Sequence, residues 1–252
     1  YFAAMRINWY DKVANMKSLA EEINIGLDSM VFFDDDLVNR DMVKEFIPEV
    51  TVVDLPVDFS LYVDTLTKLN YFDTLSLTKE DIRKGTMYVE EKQRRKLVQS
   101  TNLTEYLRRL NIKLSIENAN KNNILRIAQL TQKTNQFNLT TRRYTVEEIE
   151  AFSENESFQV ITITLSDKFG DSGLTGLAII DKNASESWLI ETFLLSCRIL
   201  GRKAEDALLA HIIDTAKKEG AKSISGNFIP SEKNIPAKDF YNNCGFKKID
   251  NV

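Results

Sequence analysis

Two stretches in the second half of the chain bring together residue types that can do chemistry. In the first, Trp188-Leu189-Ile190-Glu191-Thr192-Phe193-Leu194-Leu195 reads as a strand, followed by a short loop with Arg198, Gly201 and Arg202. A helical pattern begins at once. Unpaired N–H groups at a helix N-terminus, reinforced by the helix dipole, make an anion site. Gly201 lets the backbone approach a bulky ligand, and Arg198 and Arg202 can add charge-assisted contacts to phosphate oxygens. Residue types alone therefore describe a phosphate cradle, with a plain strand-to-helix loop carrying surface arginines as the alternative. Cys197 lies between strand and loop, where positive groups and N–H dipoles favour a thiolate. A covalent acyl-cysteine is one reading, and a simply buried cysteine is the other. Cys244 reads as structural. His211, the single histidine, falls mid-helix among Leu208, Leu209, Ile212 and Ile213, which excludes a histidine-dependent triad unless this one residue serves.

In the first half, Phe32-Phe33-Asp34-Asp35-Asp36 follows a short apolar run. Carboxylates at the C-terminal end of a buried strand are placed to bind Mg²⁺ in the crevice of a parallel sheet. An acidic turn after a strand is the simpler alternative.

The elements that must position these groups follow from hydrophobic periodicity. Val13, Met16, Leu19, Ala20 and Ile23 predict a helix over 11–24, with Gly26 as its stop. A strand over 29–33, a helix over 40–46 and a strand over 50–53 complete an α-β-α-β order, which implies a parallel sheet. Residues 58–110 read as mostly helical, with Glu90–Lys96 as a solvated charged stretch. Beyond a boundary near 111 the order becomes strand 113–117, helices 121–133 and 145–154, and strands 158–165, 173–181 and 188–195. A helix at 202–219, a strand at 222–228, a helix at 236–243 and a strand from Phe246 follow. Asp171-Ser172-Gly173 is expected to turn a hairpin between antiparallel strands.

Composition narrows the class. The 252 residues carry 33 basic and 37 acidic side chains, a net charge of −4 that argues against a general nucleic-acid binder. Hydrophobic residues at 43% and charged residues at 28% suit a soluble protein with a core. No apolar run is long enough for a membrane helix, and two cysteines cannot build a disulfide framework. A cytoplasmic location is expected. Starting at Tyr1 without Met and stopping just after a predicted strand, the chain reads as part of a longer polypeptide.

The stretch Asn234-Ile-Pro-Ala237-Lys-Asp-Phe240-Tyr241-Asn-Asn-Cys-Gly245-Phe246, taken with Arg198 and Gly201, resembles the GNAT acyltransferase superfamily. Lys203 departs from its pattern, standing where a small residue is usual. The resemblance implies that Tyr241 protonates a departing thiolate and that Asn234 orients the pantetheine arm or that tyrosine. Leu195, Arg198, Gly201 and Arg202 would hold the pantetheine-bearing cosubstrate. The longer blocks Gln129–Tyr144, Asp167–Asp171 and Phe193–Gly201 are similar to FkbH-like proteins, which fuse a HAD-type phosphatase domain to a GNAT-like domain. That resemblance implies transfer of a three-carbon glyceryl unit from a small phosphorylated donor to the phosphopantetheine of an acyl carrier protein. Gln132, Asn135, Asn138, Thr140, Arg142 and Arg143 would bind the donor, as amides, hydroxyls and arginines suit a polar phosphorylated molecule. A helix-loop satisfying its own backbone is the alternative.

By the same resemblance Lys12 matches the lysine that stabilises a phospho-aspartate, and Asp34 and Asp35 match the Mg²⁺ pair. The HAD nucleophile motif would precede residue 1, although Asp34-x-Asp36-x-Val38 also fits that motif loosely. The expected fold is α/β, a partial HAD-like (Rossmannoid) parallel sheet region followed by a GNAT-like mixed sheet domain. Its segments are 1–57, a helical connection over 58–111, and 112–252. Two other functions stay open: an N-acetyltransferase using acetyl-CoA (coenzyme A) and an amine, and a non-catalytic module that docks a carrier protein. The oligomeric state is not legible.

Overall fold

The computed structural model describes residues 2–73, 79–98 and 102–249. The expected segment 58–110 therefore includes residues 74–78 and 99–101, which lie outside the described residues, as do 250–252. The chain forms two compact units, Tyr1–Val89 and Glu90–Val252.

In the first unit, helix α1 (Lys12–Ile23) starts where Asp11 accepts a hydrogen bond from the Ala14 N–H at 2.7 Å. This side-chain cap satisfies a donor that the helix leaves orphaned. α1 stops at Asn24, which adopts the left-handed conformation with φ 54°. Gly26 was the expected stop, but its φ is −70° and it only begins the next turn. Strand β1 (Val31–Phe32) pairs in parallel with β2 (Thr51–Val52), and α2 (Leu37–Phe46) connects them. Both strands are shorter than predicted. Met16, Phe32, Val43, Ile47 and Val50 make the core between helices and strands. Helix α3 (Tyr62–Thr67) follows.

Helix α4 (Lys79–Val98) holds the division between the units, which falls well before residue 111. The reason is electrostatic. Glu90 and Arg94, expected to be solvated, are 8% and 2% exposed. Arg94 donates Nε and Nη2 to the two oxygens of Asp167 at 2.7 and 2.8 Å, a bidentate pair that binds this end of α4 into the second unit. Helix α5 (Leu103–Leu110) comes next.

The second unit is built on a five-stranded sheet of β3 (Lys113–Asn118), β4 (Phe158–Asp167), β5 (Gly170–Asp181), β6 (Ser187–Leu195) and β7 (Ser223–Gly226) in that spatial order. The first three pairings are antiparallel and β6–β7 is parallel, which is the mixed sheet expected. Helices α6 (Ile124–Lys133) and α7 (Val146–Glu154) cover one face, packing on Val160, Leu177, Ile179 and Leu194. On the other face α8 (Ala204–Lys218) and α9 (Phe240–Asn243) pack on Ile161, Ile163, Ala178, Ile180 and Leu195. Alternation along β4 sends successive side chains to opposite faces, so one strand feeds both cores. Fully burying each such aliphatic side chain is worth about 1.5–3 kcal/mol.

Three local expectations are corrected. The β4–β5 turn is Lys168-Phe169, because Asp167 accepts from the N–H groups of Phe169 and Gly170 and fixes the reversal there. Asp171-Ser172-Gly173 instead lies inside β5, where the register slips and Gly173 takes φ 69°. The last helix is two pieces, a short turn over Ile235–Ala237 and α9. No strand starts at Phe246 among the described residues. Its N–H returns to the Tyr241 carbonyl at 3.0 Å and its ring packs on Tyr241 at 5.1 Å. None of the described helices is long and apolar enough to cross a membrane.

Candidate active site

β6 and β7 pair only from Ser187 with Ser223 to Ile190 with Gly226, after which β6 continues to Leu195 without β7, still paired with β5. Around this parting the chain gathers Tyr241, Gly226, Asn234 and the loop into α8.

Tyr241 is 9% exposed, and its hydroxyl has no hydrogen-bond partner among the described residues. Burial pushes the phenol well above its usual range, so it stays protonated at neutral pH. The ring is held in an aromatic row, 5.5 Å from Phe240 and 5.1 Å from Phe246. A buried hydroxyl left unpaired costs about 1–3 kcal/mol, so its retention calls for a use.

Asn234 is fully buried, and its amide is committed. Nδ2 donates to the carbonyls of Asn138 and Ile229, both at 2.9 Å, and Oδ1 accepts from Ser231 N–H at 2.7 Å. Its amide is spent on fastening the loop after β7 to the segment that follows α6, and not on Tyr241, whose hydroxyl has no hydrogen-bond partner among the described residues.

The loop into α8 shows the backbone of an anion site with a different allotment of charge. Gly201 and Lys203 both have positive φ, 78° and 63°, and no side chain caps α8. The first-turn N–H groups of a helix so begun are available to an anion. Arg202, however, is turned into the protein, 4% exposed, where it meets Glu91 at 2.6 Å and Asp167 at 3.6 Å. Its guanidinium completes the Arg94–Asp167 cluster instead of lining a phosphate cradle. Arg198, partly buried, donates Nε to Ser196 Oγ at 3.3 Å. Leu195 is fully buried in the sheet.

A cavity of about 550 Å³ opens at the N-terminus of α8, walled by Phe137, Phe240, Lys203, Glu205, Asp206 and Asp239 among others. Lys203 spends its charge on Asp206 at 2.9 Å. Glu205 keeps one buried oxygen without a partner, and burial raises its carboxyl above the usual range. Three carboxylates against one paired ammonium oppose a diphosphate here through like-charge repulsion.

Cys197 does not sit in a thiolate-stabilising environment. Burial raises its thiol, and the nearby Arg198 only partly offsets that. The expected depression from loop charges fails because desolvation outweighs one guanidinium. Cys244 is also raised, by burial and then by Asp206 and Glu205. His211 is on the surface of α8.

The polar block between α6 and α7 is knit to itself. Gln132 donates to the Tyr144 carbonyl at 3.1 Å. Arg143 caps the C-terminal end of α6 through the carbonyls of Thr131, at 2.6 Å, and Gln132, and it also donates to Asn135. Asn138 accepts from Thr141 N–H at 3.0 Å, and Thr140 faces the Thr192 hydroxyl at 3.4 Å. Arg142 pairs with Glu191 and is exposed, with 44% of its side chain open to solvent, as Gln132 and Arg143 are exposed too.

In the first unit Lys12 Nζ lies 3.4 Å from Asp34 Oδ2, while Asp34 Oδ1 accepts from Asp36 N–H at 2.9 Å and from Asn39. Asp35 is exposed, and Asp36 caps α2 through Val38 N–H. No group of three or more His, Cys, Asp or Glu side chains able to hold a metal occurs among the described residues. Mg²⁺ is commonly held by one or two carboxylates plus substrate oxygens and waters, so Asp34 and Asp35 could supply at most part of such a shell.

No family model matches the chain, and no curated protein does. Among solved structures, the aminoglycoside N-acetyltransferase AAC(6')-Iy in complex with a CoA-containing bisubstrate analogue is similar at 13% identity and a TM-score of 0.44, over 56% of this chain and 95% of that one. A ribosomal-protein-alanine N-acetyltransferase from Brucella melitensis biovar Abortus 2308 is similar at 11% identity and a TM-score of 0.43, over 55% of this chain and 95% of that one. The N-terminal part of a Bacteroides fragilis protein, containing a phosphatase domain complexed with Mg, is 46% identical over 28% of this chain and 19% of that one, with a TM-score of 0.27.

Sequence reasoning singled out Tyr241, Asn234 and the α8 loop, and it did not single out Gly226, Glu205 or Phe137, which the structure places beside them. A glycine ending a strand and an acidic first helical turn are common features, and only their place beside Tyr241 and the cavity makes them informative.

Proposed function

We propose that the chain is an acyltransferase whose Glu90–Val252 unit moves a small glyceryl-type acyl group from a phosphorylated donor to the phosphopantetheine thiol of an acyl carrier protein. The observation that carries this is the Tyr241 hydroxyl, buried, protonated and unpartnered where β6 and β7 part. In the step, the thiol sulfur bonds to the acyl carbon as that carbon's bond to the phosphate oxygen breaks. Tyr241 gives its proton to the departing phosphate and regains one from the thiol, so the thiol proton ends on phosphate. A donor of this kind is favoured because the phenol stays neutral and cannot act as a base.

The acidic cavity at α8 favours a carrier-bound arm with one phosphodiester over free coenzyme A. Arg142 at the open edge of the polar block is the residue of that block best placed to meet the donor's phosphate. In this reading Lys12, Asp34 and Asp35 belong to a phosphatase half that needs a nucleophile and further Mg²⁺ ligands from outside the described residues.

The test is intact-protein mass spectrometry after incubation with phosphopantetheinylated carrier protein and a phosphoglyceryl donor. A three-carbon hydroxyacyl gain on the carrier supports the reading. Acetyl transfer from acetyl-CoA to an amine, with no carrier acylation, contradicts it in favour of an N-acetyltransferase, and inertness toward both leaves a docking module.

A further inference from the structure

β3 is the outer strand of the five-stranded sheet, with β4 as its one neighbour. Its register runs from Lys113 opposite Ser166 to Asn118 opposite Ile161, and the Ala119 N–H continues it by donating to the Val160 carbonyl at 2.7 Å. In an antiparallel ladder the backbone groups turn toward a given neighbour at every second residue. Lys113, Ser115 and Glu117 therefore spend theirs on β4, whereas Leu114, Ile116 and Asn118 aim theirs outward. Every residue of the strand except Ile116 is exposed, Leu114 to 37%. An edge of this kind is a template for a further strand.

Alternation puts Lys113, Ser115 and Glu117 on one face and Leu114 and Ile116 on the other, where Ile116 packs on the core that holds Ile161 and Ile163. The polar row is antisymmetric about Ser115, with a cation two residues before it and a carboxylate two residues after. On β4 these charges stand opposite Ser166 and Thr162, neither of which is charged. The Ser115 hydroxyl donates to Glu117 Oε1 at 2.8 Å and keeps that carboxylate beside the strand. Lysine alone on this edge would repel a second copy of it. With Glu117 placed symmetrically, the same lysine attracts one.

We propose that β3 is the docking edge for a second copy of this chain, paired antiparallel about a two-fold axis at Ser115 so that two sheets join into one. In that register Leu114 and Ile116 of the other copy exchange both backbone bonds, using the groups that point outward. Lys113 stands opposite Glu117 of the other copy, twice over, at positions without backbone bonds, where facing side chains approach most closely. Leu114 lies across from Ile116 of the other copy on the apolar face. Opposite charges directly across a ladder are favourable and like charges are not. Shifting the pair by two residues sets Lys113 or Glu117 opposite Ser115 and loses both ion pairs, so the charges select the register. A contact of one short strand on another is smaller than the roughly 1,200–2,000 Å² of stable complexes, and the dimer is accordingly weak and concentration-dependent.

The experiment is sedimentation velocity on the intact chain from about 1 to 500 µM, the range of weak interfaces, at low and high salt. Wild type is compared with Lys113→Glu, Glu117→Lys and the variant carrying both reversals, with circular dichroism as the check that each is folded. The expected result is a reversible dimer that salt weakens. Each single reversal sets two like-charge pairs across the axis and is expected to weaken the dimer at least about tenfold. The double reversal restores opposite charges in the same register and is expected to return within about threefold of wild type. A chain that stays monomeric throughout overturns the proposal. So does a dimer that the single reversals leave unchanged, or one that the double reversal fails to rescue, because it is then built on another surface.

Discussion

The phenol of Tyr241 lies against the backbone of Gly226 so closely that a methyl group on the glycine would sit 2.5 Å from the ring carbon Cζ and 2.6 Å from the hydroxyl oxygen. The absence of a side chain at the end of β7 is what lets the hydroxyl reach the gap beside β6. Replacing Gly226 by alanine should force the ring aside. Transfer activity is expected to fall by at least about a hundredfold, the usual share of a displaced acid group, with a loss of about 1–3 kcal/mol in stability from overpacking. Denaturant unfolding and carrier acylation, measured on the same preparation, check both effects.

The Arg94–Asp167–Arg202 cluster is buried, with the Asp167 side chain fully covered. Burial alone would raise the Asp167 carboxyl, but Arg94, the Phe169 N–H and Arg202 hold it below its ordinary value near 3.8. A carboxyl depressed on folding contributes stability at pH above its unfolded value, and that stability disappears as pH falls through the folded value. Asp167→Asn should cost about 3 kcal/mol at neutral pH by removing the bidentate, fully buried partner of Arg94, which keeps only its longer pairs with Glu90 at 3.6 Å and Glu91 at 3.7 Å. The same variant should show a shallower acid limb below pH 4 in a stability profile.

Glu205 works in the opposite sense. Its carboxyl is raised on folding, so stability is lost as pH rises from the unfolded value near 4.5 through the folded one. Glu205→Gln is expected to stabilise the chain at pH 7 by about 1 kcal/mol, since the neutral amide avoids a buried unpaired charge. At pH 3, where both side chains are neutral, wild type and variant should melt alike.

Cys197, with its thiol raised by burial, is expected to be dispensable for transfer. Cys197→Ala should keep carrier acylation within about threefold of wild type, whereas an acyl-enzyme route would lose most of the rate. Trapping experiments should show no acyl group on the chain itself.

How far these features were legible depends on their range along the chain. Val160 to Leu165 alternates clearly enough to place β4 and its two faces, and the run Trp188–Leu195 with the helix after Gly201 places the site's backbone. Local turns were less readable: Asn24, not Gly26, takes the left-handed position, and Asp167 rather than Asp171 turns the hairpin, because each choice depends on which neighbouring N–H groups need an acceptor. The long-range charge partners were invisible. Arg202 looks like a phosphate ligand until Glu91 and Asp167, distant in sequence, are seen around it. Likewise nothing in Phe137-Asn138-Leu139 announces a strand, since its partner is the edge of β6 past Ile190, where the Leu139 N–H meets the Phe193 carbonyl and the Phe137 carbonyl meets the Leu195 N–H. Tyr241 and Asn234 were found through a resemblance, and the structure then assigns Asn234 to holding loops.

The most direct measurement is the single-turnover rate of carrier acylation by Tyr241→Phe against wild type, with thermal unfolding of both. The hydroxyl has no partner to lose, so the variant should be as stable as wild type or about 1 kcal/mol more so. Its rate should nevertheless fall by about 10²–10⁴. An undiminished rate in a folded variant would contradict Tyr241 as the proton donor, and with it the proposed site between β6 and β7.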